Sequence, residues 1–137
     1  MARWLIPSLC YVVTVGALGV TSKLALRSVS WQALVTVTTG VYLLAVIVFA
    51  ALGQIRFGTG IDLFWTVVSA ALAVTSLIAL YLALGSGEAS KVVPISAAYP
   101  ALTLVLAALF LAEAFTVARA GGVLMVIAGV VVLTTVK

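Results

Sequence analysis

The side chains that could do chemistry are few, and they sit at the edges of long apolar runs. The 137 residues hold three acids, Asp62, Glu88 and Glu113, seven Lys or Arg, and no histidine. General acid/base catalysis needs an ionisable group within hydrogen-bond reach of the reacting atoms, and each acid here borders an apolar run instead of lying inside one. Cys10 is the single cysteine, so neither a disulfide within the chain nor a thiolate metal cluster is expected. This inventory points away from an enzyme and calls for no metal and no cofactor. No Gly-rich phosphate loop is present, so ATP hydrolysis is not expected. The net charge of +4 comes without a basic run, so nucleic acid is not an expected partner.

Polar residues at helical spacing remain. Ser96, Tyr99 and Thr103 share one face if their segment is one helix. Gln32, Thr36, Thr39 and Gly40 share another, and Ser69, Ala73, Ser76 and Ala83 form a face of small residues. Such faces line a cavity or bring helices together. On the first reading Tyr99, Ser96, Thr36 and Ser76 hydrogen-bond a substrate; on the second they hydrogen-bond between helices. Lys23 is the charge deepest in an apolar run. An ionisable group at that depth defaults to a functional reading, yet Lys23 is close enough to Arg27 to snorkel to the interface.

Pro94 and Pro100 lie in one apolar segment. A proline lacks an N–H and clashes with the carbonyl four residues back, here Ser90 and Ser96. In lipid a freed carbonyl must face protein or a wet cavity. A kink at either proline can shape a substrate cavity or serve packing, and Pro94 also fits a first helical turn. Glu113 and Arg119 flank a short polar turn, where capping and tethering are expected. Ala118 and Gly122 form a small-xxx-small pair suited to packing or dimerisation.

These residues must be held by elements that live in a bilayer. Hydrophobic residues make up 66% of the chain and charged ones 7%, against about half and about a quarter in a soluble domain. The chain reads as an integral membrane protein. A spanning helix needs roughly 20 mostly apolar residues, and five segments qualify, at about 4–27, 31–53, 62–85, 91–112 and 118–136. They are apolar on every side and about twice the length of a membrane strand, so helices are expected. The first run is too long for a signal-peptide core and reads as an uncleaved span. Trp4, Trp31 and Trp65 each open a span, where aromatic belts form. An acid at Asp62 suits a helix start.

Five spans place the two ends of the chain on opposite sides. Arg3, Arg56 and Arg119 then share one side, and Lys23, Arg27, Lys91 and Lys137 the other. Orientation follows the Lys/Arg bias, and three against four is almost none. Either the chain inserts both ways up, or the first loop or a partner settles its orientation.

In the carboxy-terminal half Tyr81-Leu82-Ala83-Leu84 is followed by Glu88-Ala89-Ser90-Lys91-Val92-Val93-Pro94-Ile95, Tyr99-Pro100 and Phe110-Leu111-Ala112-Glu113. In order and spacing these pieces resemble the EamA repeat of the drug/metabolite transporter superfamily. Gly121-Gly122 and Gly129 follow in the final helix. Gly19-Val20-Thr21-Ser22-Lys23-Leu24-Ala25-Leu26 adds a weaker match in the amino half. Ala112 departs from the pattern, which often has Gly there. Family members commonly carry two such repeats in ten spans, related by inversion.

The resemblance implies that residues 1–137 form one EamA-like transmembrane domain, half of an inverted-repeat transporter. An antiparallel homodimer would then rebuild the inverted pair; a heteromeric partner or a parallel dimer is the other option. The small multidrug resistance proteins, distant relatives, carry an acid in their first helix. The first span here has none, so export of cationic drugs through such an acid is not expected.

The expectation is therefore an all-α membrane protein of five helices. It would act as a dimeric secondary transporter, an exporter of a small organic metabolite, by alternating access in a prokaryotic cytoplasmic membrane. Its partners would be lipid, the substrate and a second copy. The alternative is a non-transporting accessory or assembly subunit of a larger complex. Substrate cavity candidates are Ser96, Tyr99, Pro100, Pro94, Thr36, Ser76 and Lys23; Ala118 and Gly122 are candidates for dimer packing.

Overall fold

Backbone N–H and C=O groups cannot stay unpaired in hydrocarbon, and a helix pairs them within one segment. Long, mostly apolar runs therefore fold as helices, and all the regular structure described is helical. The computed structural model describes residues 3–135. Six helices follow in order: α1 Leu5–Ala25, α2 Trp31–Ala51, α3 Ile61–Ser86, α4 Ala89–Ser96, α5 Tyr99–Phe110 and α6 Val117–Thr135. Five stretches among the described residues are long and apolar enough to cross a membrane: α1, α2, α3, the pair α4–α5 and α6. The ends agree with the expected spans to within a few residues. The last expected span reaches Val136, which with Lys137 lies outside the described residues.

The fourth span corrects an expectation. It is not one kinked helix but two helices with a break at Ala97 and Ala98. The break follows from Pro100, the second residue of α5. Pro100 has no N–H to give Ser96, and its ring disfavours a continuous helix there. The chain tightens instead, with Ala98 N–H donating to Ile95 O at 3.1 Å and Ala101 N–H to Ala98 O at 3.1 Å. Both are three-residue bonds of the 3₁₀ kind. Pro94 lies inside α4, the sixth of its eight residues, so it is not a first-turn proline.

Local chemistry sets the other ends. Ser30 caps α2, its hydroxyl accepting from Ala33 N–H, one of the four donors a helix start leaves open. α2 stops at Gly53, whose φ of 64° lets Gln54 N–H reach Phe49 O at 3.0 Å.

The chain forms two compact units, residues 1–86 and 87–137. In the first, α3 packs against both α1 and α2. Its buried residues are Gly19 and Ser22 of α1 with Tyr81 and Leu84 of α3. In the second, α6 packs against α4 and α5, and no residue of these three helices is fully buried. Large apolar side chains such as Val13, Leu44, Leu72, Leu109 and Met125 point outward, as they must in a protein whose solvent is lipid.

Candidate functional site

α5 and α6 run side by side, joined by the turn at 111–116, and leave a groove of about 430 Å³ between them. Helical period selects its walls. Tyr99, Thr103 and Ala107 recur every four residues on α5, with Pro100 and Leu104 beside them. Arg119, Gly122, Val123 and Val126 recur every three or four on α6, and Glu113 closes one end from the turn. Small-molecule sites span roughly 300–1,000 Å³, mostly apolar with a few placed polar groups. This groove sits at the small end of that range, and its polar groups are one phenol, one hydroxyl, one carboxylate and one guanidinium.

The two charges belong to the turn as much as to the groove. Arg119 donates from its guanidinium to Ala114 O at 2.8 Å and stands 3.9 Å from a Glu113 carboxylate oxygen. The first contact ties the turn to the start of α6. The second is too long for a hydrogen bond, and both side chains are about half exposed, so the pair adds little stability.

Of the sequence candidates, Tyr99, Pro100 and Gly122 line this groove; Thr103, on the Tyr99 face, joins them. Ser96 does not: the break at Ala97 takes it out of register with α5, and its hydroxyl donates to Val92 O within α4 at 2.9 Å. Pro94 is also absent from the lining. Thr36 and Ser76 belong to the first unit. Their hydroxyls donate back to Gln32 O and Ala73 O, each at 2.9 Å. In this chain all three hydroxyls donate their proton within their own helix, because a Ser or Thr in a helix finds a carbonyl three or four residues back.

Ala118 is exposed and outside the groove. A methyl group added at Gly122 would meet nothing within 4 Å, so no neighbour in this chain demands glycine there.

Lys23 has a definite partner. Its ammonium donates to the carbonyl of Leu84 at 2.7 Å. Leu84 is two residues from the end of α3, where carbonyls lack an intrahelical donor and the helix dipole favours a cation. One further bond crosses helices nearby: the Thr38 hydroxyl lies 3.2 Å from the Tyr81 hydroxyl. Tyr81 is only 1% exposed. Sequence reasoning missed Thr38 as a polar contact and quoted Tyr81 for resemblance alone. A tyrosine inside an apolar run was the available signal, since a buried phenol takes a hydrogen-bond partner.

The sequence profile of the EamA-like transporter family matches residues 2–135. The chain belongs to that family. The family is one of transporters, and with five stretches long and apolar enough to cross a membrane this is a multi-pass membrane protein in contact with lipid, of a family that acts on small molecules. Over 70 residues it is 40% identical to an uncharacterized protein of Methanocaldococcus jannaschii. That match covers 51% of this chain and 51% of the relative, so the matched stretch spans about half of each. No solved structure matches the chain.

Proposed function

We propose that this EamA-family protein is a secondary transporter, an exporter of a small organic metabolite, working by alternating access as a dimer in a prokaryotic cytoplasmic membrane. The observation that carries the reading is the family match over residues 2–135, which make one five-span unit where inverted-repeat transporters use two. The near balance of cations on the two sides supports an antiparallel pairing. The groove between α5 and α6 supports a substrate site with Tyr99, Pro100, Thr103, Glu113 and Arg119 as its wall. Tyr99 is 56% exposed, so the groove offers one wall of a cavity, and in this reading the second copy supplies the other.

Purified protein reconstituted alone into liposomes tests the reading against an accessory role. Uptake or efflux is measured for a panel of labelled small amino acids, organic acids and amines under a proton or sodium gradient. Gradient-dependent flux of at least one member, absent from empty liposomes and reduced in Tyr99→Ala, is the expected result. No flux by the purified chain, with flux restored only when another membrane protein is added, would make it an accessory subunit.

A further inference from the structure

Burial in the first unit is confined to one end. Gly19 and Ser22 lie in the last seven residues of α1, and Tyr81 and Leu84 in the last six of α3. The opposite ends are bare: residues 6–14 of α1 and 61–67 of α3 are exposed throughout. The three helices therefore converge where α1 ends, α2 begins and α3 ends, and they leave their other ends uncovered. The convergent end is fastened by polar groups. Lys23 reaches the Leu84 carbonyl at 2.7 Å, and Thr38 meets Tyr81 at 3.2 Å. Ser22, one residue before Lys23, is 3% exposed.

A permanent brace in lipid needs only apolar packing, which has one satisfied state. A polar clasp beside the membrane surface has two. When it is shut, ammonium, carbonyl and hydroxyls satisfy one another. When it opens, water takes their place. Lys23 is two residues from the end of α1 and can extend to the interface, and Leu84 is equally close to the end of α3. Thr38 keeps its bond to Leu34 O when the clasp opens, so water has to reach the Lys23 ammonium, the Leu84 carbonyl and the Tyr81 hydroxyl.

We infer that Lys23–Leu84 and Thr38–Tyr81 form a gate, shut in this structure, that opens one membrane face during transport. On this reading Lys23 is a positioning residue and not a substrate ligand. The inference rests on the transporter reading and adds to it the side that is closed and the contacts that close it.

The test is cysteine accessibility in liposomes with Cys10→Ser as background. Ser22→Cys reports water at the clasp, and Ser28→Cys, in the exposed first loop, is the control. A small impermeant thiol reagent is placed on both sides of the membrane. A gate predicts complete but slow labelling of Ser22→Cys, at a rate that stops rising with reagent concentration because opening limits it. Tyr81→Phe, which removes one clasp bond while keeping the ring, should raise that limiting rate several-fold.

Ser22→Cys that stays unlabelled while Ser28→Cys reacts fully would make the contact a fixed brace. Labelling of Ser22→Cys as fast as Ser28→Cys would mean the end is not closed. Either result overturns the gate. Flux measured in the same liposomes separates the two readings: flux without labelling removes the gate alone, and labelling without flux removes the transporter reading while the clasp still opens.

Discussion

Gly53 and Ala112 perform the same backbone task at the ends of two helices. Both adopt the left-handed region, with φ of 64° and 53°, so that the chain can fold back over the helix end. After α2, Gln54 N–H reaches Phe49 O; after α5, Glu113 N–H reaches Ala107 O at 3.3 Å. Glycine does this without a Cβ penalty, whereas an L-residue there costs roughly 1–2 kcal/mol. Ala112 is the one non-glycine residue with positive φ among those described, at the position where the family pattern often has Gly. Glycine gives back about 0.5–1 kcal/mol in unfolded-state entropy. Ala112→Gly should therefore stabilise the protein by about 0.5–1 kcal/mol, read as a shift of the unfolding midpoint in mixed micelles. A lower midpoint would mean that Ala112 carries no strain. Gly53→Ala should shift it the other way by a similar amount.

The elements show which parts of the molecule can be read from residue types and which cannot. Five apolar runs announce five spans because the bilayer sets their length and forbids other backbone structures. The break at Ala97 and Ala98 was not legible. A proline in a membrane helix can bend it or divide it, and the choice rests on whether the next turn can tighten into three-residue bonds. That break decided the fate of a predicted face: Tyr99 and Thr103, both on α5, stay together, and Ser96 leaves them. The groove itself was legible only along α5, since periodicity relates residues on one helix and says nothing of Arg119 and Val123 across the gap. Lys23 shows the same limit, because its position in the chain sets its depth but does not reveal its partner, the Leu84 carbonyl. Pro100→Ala restores the N–H that Ser96 lacks and should join α4 to α5. Membrane insertion should be unchanged, while flux falls severalfold because the groove wall at Tyr99 rotates. Wild-type flux from that variant would remove the break from the mechanism.

At the scale of the whole molecule, one five-span unit is proposed to transport by pairing with an inverted copy of itself. The nearly equal cation counts, Arg3, Arg56 and Arg119 against Lys23, Arg27, Lys91 and Lys137, leave orientation poised. Two lysines inserted after Met1 should tip it. The biased protein should lose most of its flux alone and regain it when a copy biased the other way is co-expressed; undiminished flux from the biased protein alone would support a parallel or heteromeric assembly. The same claim predicts that orientation is mixed in the native protein, and this can be read with one label. With Cys10→Ser as background and a single cysteine appended after Lys137, intact cells are treated with a membrane-impermeant thiol reagent before and after permeabilisation. Labelling of about half the molecules from outside, and of the rest only after permeabilisation, is the predicted result. Labelling confined to one side would contradict it, and the inverted half would then have to come from a different chain.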